Sequence, residues 1–157
     1  MDIGANIGVM TRLFAARAGH VHAFEPGPRA LRLLRANALP NVTVHPVAVS
    51  DENGTVRLNE QESSDTSFID SDGVEVRCVT VDSLGLKPDF IKIDVEGYEH
   101  KVIRGAAETL KSASPIVMFE ALGDAAREYC EKLILGFNPN YDFEALPSRL
   151  NHIAWPK

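Results

Sequence analysis

Glycines and acids in the first 25 residues are spaced as in a nucleotide-binding turn. Gly4 and Gly8 follow a short apolar strand that carries Asp2, and Glu25 ends the next apolar run. Glycine lets the backbone approach a ligand that a Cβ would exclude, and an acid after the second strand can accept hydrogen bonds from ribose hydroxyls. The spacing is Gly-x-x-x-Gly, not the Gly-x-Gly-x-x-Gly of dinucleotide sites, and Asp2 suits an ammonium or sulfonium charge. These residues predict a site for S-adenosylmethionine, with a plain strand-turn-helix as the alternative.

A second group of ionisable residues follows a later apolar strand, expected over 89–95. Residue parity places Lys92, Asp94 and Glu96 on one face of that strand, and ligands in open α/β sheets bind beyond the carboxyl ends of strands. A hydroxyl that attacks a methyl group must lose its proton, so Asp94, Glu96 and His100 are the candidate general bases. Asp94 is favoured because it lies deeper, and Lys92 is expected to keep it ionised.

Structural explanations of the same residues stay open. Lys92 is also consistent with an ion pair that only stabilises the strand, Glu96 with a helix-capping acid, and His100 with a solvent-facing helix position. Glu120 ends another apolar strand and is either a site residue or a helix cap.

The elements that must position these residues alternate along the chain. Helices are expected over 9–18, 28–38 and 124–135, with further helical turns after Asp82 and Gly97, and strands over 21–25, 42–49, 55–58, 74–79, 89–95, 115–120, 142–146 and 152–155. This order predicts an α/β fold with a Rossmann-like, mostly parallel sheet and an antiparallel C-terminal strand pair. The polar stretch 59–72 is interpreted as a mobile loop that covers or flanks the site, or as a solvated surface loop.

The chain of 157 residues is expected to form one domain, 1–157, with a β-hairpin and loop insertion around 55–80. Only Met1 precedes Asp2, so the first strand is expected to be truncated, and exposed sheet edges favour a homo-oligomer.

Composition excludes several classes of partner. The net charge is −6 with no run of Lys or Arg, which argues against a nucleic-acid partner. No apolar stretch reaches the length of a membrane span. Cys78 and Cys130 are far apart and indicate reduced packing thiols in a cytoplasmic protein. No metal is assigned, because the remaining histidines are scattered along the sequence: His20, His22, His45 and His152.

The chain resembles the FkbM-type methyltransferases. The resemblance covers nearly the whole chain and rests on five motifs in order: Asp2-Ile3-Gly4-Ala5-Asn6-Ile7-Gly8, Phe24-Glu25-Pro26, Ala48-Val49-Ser50-Asp51, Ile91-Lys92-Ile93-Asp94-Val95-Glu96-Gly97-Tyr98-Glu99 and Phe119-Glu120. It implies a seven-stranded class I methyltransferase fold, S-adenosylmethionine as cofactor, and methyl transfer that usually goes to a hydroxyl. Family members usually carry a longer first strand and preceding elements that shape the acceptor pocket.

By position, the resemblance implies a role for each motif residue. Gly4, Asn6 and Gly8 would line the methionine, Glu25 would hold the ribose, Ser50 and Asp51 would flank the adenine, and Asp94 would lie near the sulfonium. The full set of candidate cofactor-binding residues is Asp2, Gly4, Ala5, Asn6, Gly8, Glu25, Pro26, Ser50, Asp51 and Asp94.

The expected acceptor is a hydroxyl of a small molecule, sugar or lipid. Two other functions remain as alternatives. One is a non-catalytic or truncated remnant that only binds the cofactor. The other is a nicotinamide-dependent oxidoreductase, which the glycine spacing disfavours.

Overall fold

Strands and helices alternate from Asp2 to His45 in the computed structural model of the protein, and a run of further strands follows before the helices resume. The structure describes residues 1–60, 67–69, 73–147 and 150–157. Contacts between Cα atoms divide the chain into two units. The first comprises residues 1–48 and 54–78, and the second comprises residues 49–53 and 79–157.

The first unit has a parallel strand set and an antiparallel one. Its elements are β1 (Asp2–Ile3), α1 (Val9–Ala15), β2 (Val21–Phe24), α2 (Pro28–Asn37), β3 (Val42–His45), β4 (Ala48–Val49), β5 (Gly54–Glu60), β6 (Ser67–Ile69) and β7 (Val74–Val79). The division between the units falls within β4. β2 pairs in parallel with β1 and β3, and β5 pairs antiparallel with β6 and β7. Leu34 of α2 packs on Ala5 and Ala23, whose small side chains let the helix approach the sheet.

The second unit combines a parallel pair with an antiparallel one. Its elements are a 3-10 helix (Asp82–Leu84), β8 (Phe90–Ile93), α3 (Glu99–Arg104), α4 (Ala107–Ser112), β9 (Ile116–Glu120), α5 (Asp124–Phe137), β10 (Tyr141–Ala145) and β11 (Asn151–Pro156). β8 and β9 are parallel, whereas β11 is antiparallel to both β9 and β10. The predicted α/β class, with a mostly parallel sheet and antiparallel C-terminal strands, is confirmed.

Two predicted elements of the first unit end early. The helix expected over 9–18 ends at Ala15, and the chain continues as a turn in which the Arg17 N–H donates to the Phe14 carbonyl at 2.9 Å. The strand expected over 42–49 is broken into β3 and β4. Pro46 lies at the break, and because proline has no backbone N–H it cannot continue the ladder of β3.

The middle of the chain holds a strand that the sequence pattern did not predict. β6 lies inside the polar stretch 59–72 and pairs with β5. The remainder of the predicted mobile loop, 61–66 and 70–72, lies outside the described residues.

α5 ends later than the predicted bound at residue 135. The helix continues through Gly136 to Phe137, and its buried residues are Cys130 and Ile134, one turn apart. Ala125 and Tyr129 of the same helix are exposed.

Both cysteines are buried, as the sequence predicts for packing thiols. Burial raises the pKa of the Cys130 thiol to about 12, with Glu99 and Glu131 adding to the shift. Among the described residues, no helix is long and apolar enough to cross a membrane.

Candidate active site

The glycine loop after β1 is built from left-handed backbone. Gly4, Asn6 and Gly8 have φ angles of 75°, 49° and 92°, a region that glycine enters without the steric cost other residues bear. The Gly4 and Ala5 N–H groups both donate to the Phe24 carbonyl, at 3.1 and 3.0 Å. The loop is therefore tied to the end of β2, next to the acid predicted to hold a ribose.

Glu25 is buried and oriented by two backbone donors. Its Oε2 accepts the Asn6 N–H at 2.9 Å, and its Oε1 accepts the Gly27 N–H at 2.8 Å. Pro26 lies between this acid and Gly27, the N-cap residue of α2. A carboxylate can accept about four hydrogen bonds, so Glu25 can position the loop and still serve as an acceptor at a strand end.

Asp2 and the remaining loop residues have visible structural roles. Asp2 is fully buried, and its Oδ2 accepts the Thr11 hydroxyl at 2.5 Å, which fixes α1 to β1. A Cβ on Gly8 would lie 2.8 Å from Leu34 Cδ1, so this glycine also permits close packing of α2. These contacts support the structural explanation of Asp2 and Gly8 beside the functional one.

Three histidines that are scattered in sequence are brought together by the β2–β3 pairing. His22 Nδ1 lies 3.0 Å from His45 Nε2, with one ring donating, and the rings of His20 and His22 are 4.8 Å apart. His45 also stacks on Phe24. The fold therefore groups histidines that are scattered along the sequence. Even so, no His, Cys, Asp or Glu cluster in the described part of the chain could hold a metal ion.

This histidine cluster predicts that the folded protein loses stability at acidic pH. Burial lowers the pKa of His22 and of His45, and repulsion between the neighbouring histidines adds to the effect. Because their folded pKa values lie below the unfolded value of about 6.5, the unfolded chain takes up protons first as the pH falls. Their contribution to stability is therefore complete above about pH 6.5 and is lost below it.

We expect a shift from pH 7.5 to pH 5.5 to destabilise the wild type more than the His22→Gln/His45→Gln variant. Urea denaturation at both pH values measures this, and the comparison cancels other titrating groups. His100→Gln, outside the cluster, serves as the control. Equal pH dependence in the wild type and the double variant would contradict the assignment.

Ser50 and Asp51 lie in the second unit. The buried Ser50 hydroxyl donates to Asp51 Oδ1 at 3.0 Å, and the Ser50 N–H donates to the Val79 carbonyl at 3.0 Å. Gly105, at the end of α3, packs directly on the Ser50 carbonyl, where an added Cβ would lie only 2.0 Å away. This contact fixes the backbone of the pair expected to flank an adenine.

The strand β8 delivers an ion pair to its carboxyl end. Lys92 is 5% exposed, and its Nζ lies 3.1 Å from Asp94 Oδ2, whose side chain is 36% exposed. The predicted Lys92–Asp94 pairing is present, between a buried ammonium and a partly exposed carboxyl.

The turn after β8 places Glu96 differently from prediction. The strand ends at Ile93, and Glu96 has a φ of 54°, so strand parity does not place it on the face of Asp94. Burial raises the pKa of Glu96, with Asp94 and Glu99 adding to the rise and Lys92 opposing it. A residue other than glycine in this backbone region is uncommon and often marks a functional turn.

Glu99 is a site residue that sequence analysis missed. It is buried, and its Oε1 accepts the Val95 N–H at 3.0 Å and the Gly97 N–H at 3.1 Å. The available signal was an acid in the first turn of a helix directly after a glycine. Glu99 therefore holds the turn that carries Glu96.

Glu120 joins this acidic group from β9. Burial, together with charge repulsion from Asp94, Glu96 and Glu99, raises the pKa of Glu120 to about 7. The raised pKa supports the interpretation of Glu120 as a site residue over its interpretation as a helix cap.

The candidate base His100 lies in a different environment. Its ring stacks at 6.4 Å on Tyr98 and lies 5.7 Å from the Tyr129 ring, where Arg104 also donates to the Tyr129 hydroxyl. These contacts tie His100 to the α3–α5 packing, so they favour Asp94, Glu96 and Glu120 over His100 as proton acceptors.

Comparison with solved structures identifies the class of fold. Methyltransferase FkbM from Methylobacillus flagellatus KT aligns with 99% of this chain and 42% of its own, with a TM-score of 0.74 and 21% identity. Precorrin-6y C5,15-methyltransferase from Geobacter metallireducens aligns with 98% of this chain and 78% of its own, with a TM-score of 0.59 and 15% identity. The fold is that of the Rossmann-like methyltransferases.

Residues 2–145 match the Methyltransferase FkbM domain, and the chain belongs to this family. The resemblance seen in the sequence motifs is thereby confirmed. A curated relative, the hexuronic acid methyltransferase AglP of Haloferax volcanii, is 28% identical over 129 residues, which are 74% of this chain and 53% of that protein. The chain thus spans about half the length of this relative.

Proposed function

We propose that the protein is an S-adenosylmethionine-dependent O-methyltransferase whose acceptor is a hydroxyl of a sugar acid. The observation that carries the cofactor assignment is the arrangement of Glu25, which two backbone N–H groups orient beside the left-handed glycine loop. Family membership supports methyl transfer and favours it over the nicotinamide-dependent oxidoreductase. The sugar-acid acceptor is suggested by the relative that acts on hexuronic acid.

The candidate residues take different parts in the proposed reaction. Glu25 accepts hydrogen bonds from the ribose hydroxyls, and the loop from Gly4 to Gly8 lies against the methionine. Ser50 and Asp51 are the proposed neighbours of the adenine, and the carboxylates after β8 orient the acceptor hydroxyl. The cofactor supplies an activated methyl group, and the protein supplies alignment and a proton acceptor.

Glu25→Ala is expected to weaken binding of S-adenosylhomocysteine by about 1–3 kcal/mol, or roughly 5- to 150-fold, because hydrogen bonds to a charged acceptor are lost. Isothermal titration calorimetry measures the change. Glu75→Ala, which removes an exposed acid of β7, should bind as the wild type does. Unchanged affinity in Glu25→Ala, with its fold verified by circular dichroism, would exclude Glu25 from the cofactor site.

The same titration separates the proposed function from its alternatives. S-adenosylhomocysteine should bind and NAD should not, whereas the reverse result would indicate the oxidoreductase. A cofactor-binding remnant would bind S-adenosylhomocysteine but form no methylated product. Glucuronic acid glycosides and the matched neutral glucosides, tested with radiolabelled S-adenosylmethionine, then test the acceptor class. Preference for the neutral sugars would contradict a sugar-acid acceptor.

A further inference from the structure

We propose that Asp94 and Glu120 form a carboxyl pair in which Glu120 is the general base, while Asp94, held by Lys92, is the positioning group. This inference rests on the proposed function, because it names the group that receives the proton of the acceptor hydroxyl. It replaces Asp94, which the sequence alone favoured, with a residue from the neighbouring strand.

Strand register brings the two carboxyl groups together. β8 and β9 are parallel, with Ile93 opposite Phe119, so Asp94 and Glu120 are the next residues along the two neighbouring chain segments. Adjacent strands are about 4.8 Å apart, so the two carboxyl groups leave the sheet side by side, and Asp94 contributes to the raised pKa of Glu120. Two carboxyl groups in such contact hold a proton between them more readily than either does alone.

The position of Lys92 makes the pair asymmetric. Its ammonium lies 3.1 Å from Asp94 Oδ2 and is almost fully buried, so Asp94 is the carboxyl that the cation holds in place. Glu120 is the carboxyl of the pair whose ionisation its surroundings disfavour. Asp94, fixed by Lys92, therefore positions the Glu120 carboxyl.

The other charged groups around Glu120 act in the same direction. Glu96 and Glu99 both face it from the turn and helix after β8, and their negative charges disfavour its ionisation. Asn151, opposite it on β11, is neutral. By strand alternation, Phe119 and its partner His152 point to the other face. There, His152 is influenced by the Arg127–Glu131 ion pair of α5.

A pKa near 7 suits Glu120 to this task. A general base works best when its pKa lies near the working pH, because it is then both ionised and strongly proton-accepting. As the acceptor oxygen forms its bond to the methyl carbon, the O–H bond breaks and the proton passes to the Glu120 carboxylate. The electron pair of the broken C–S bond stays on sulfur, which becomes neutral. Water then takes the proton from Glu120 and restores the carboxylate.

The first test uses the protein alone, by ¹³C NMR titration of its carboxyl groups. We expect one glutamate to titrate near pH 7 in the wild type and to be missing from the spectrum of Glu120→Gln. Asp94→Asn should lower that midpoint because it removes the charge repulsion from Asp94. Glu144→Gln, at an exposed position of β10, should leave it unchanged. Titration of every carboxyl group below pH 5.5 would overturn the inference.

Turnover as a function of pH tests the catalytic role. The wild-type rate should rise with pH through the NMR midpoint, and Glu120→Gln should lower turnover by about 10²–10⁴-fold and abolish that rise. The affinity of Glu120→Gln for S-adenosylhomocysteine should equal that of the wild type. A wild-type rate and pH profile in Glu120→Gln would overturn the assignment. Lack of S-adenosylhomocysteine binding by the wild type would instead contradict the proposed function, and the NMR result is independent of it.

Discussion

Gly105→Ala is expected to lower the free energy of unfolding by about 3 kcal/mol or more, because overpacking against backbone cannot be relieved by a side-chain rotation. The added Cβ would lie 2.0 Å from the Ser50 carbonyl oxygen and 3.0 Å from its carbon. The backbone of Gly105 has φ −70° and ψ −3°, which alanine adopts readily, so the contact alone is responsible. Urea denaturation measures the loss.

Gly136→Ala in α5 provides a control of opposite sign. Nothing lies within 4 Å of a Cβ at this helical position, so alanine should stabilise the protein by about 0.4–1 kcal/mol. Where Gly105→Ala still folds, displacement of the Ser50 backbone should also weaken S-adenosylhomocysteine binding. Wild-type stability in Gly105→Ala would show that the turn around Ser50 moves freely, which contradicts the close contact.

Lys92→Met is expected to destabilise the protein at pH 8 by on the order of 1–3 kcal/mol, because Asp94 loses its buried counter-ion. Asp94, Glu96, Glu99 and Glu120 would then repel one another. The loss should shrink as the pH falls toward 5, because Glu120, with a pKa of about 7, is then protonated and part of the repulsion is relieved. Thermal unfolding of the wild type and the variant across this pH range measures the effect.

Lys111→Met is the matched control for that experiment. Lys111 pairs with Glu108 at 2.7 Å on the surface of α4, and exposed pairs contribute about 0–1 kcal/mol. The control should therefore change little at any pH. An equal effect of both substitutions, or a Lys92→Met penalty independent of pH, would show that Lys92 acts through packing rather than charge.

The parts of the fold that depend on local pattern were predictable. Alternating apolar residues located β8, β9 and the antiparallel pair of β10 and β11, because one face of each strand must be buried. Element ends were less accurate. The low helix propensity of Gly136 favours a helix end at residue 135. The helix α5 nevertheless ends at Phe137, one residue after Gly136, and Ile134 in its last turn is buried.

The site was predictable where strand ends carry acids, and not where partners come from elsewhere in the chain. Glu25 and the Lys92–Asp94 pair follow from strand and loop spacing. The Glu25 bond to the Asn6 N–H depends on how β1 and β2 pair, which sequence spacing does not encode. Asp82 shows the same limit, because its carboxylate accepts the N–H groups of Glu108 and Thr109 and caps α4, a partner far away in the sequence.

The burial of both thiols has a practical consequence for following this molecule in solution. Maleimides react with exposed thiolates. Cys78 is only 2% exposed, and Cys130 has a pKa of about 12, so neither supplies such a group at neutral pH. A cysteine introduced at the exposed Ala125 of α5 can then carry a single fluorophore on an otherwise native protein. Its emission would report ligand binding in real time without removal of any natural residue from the core.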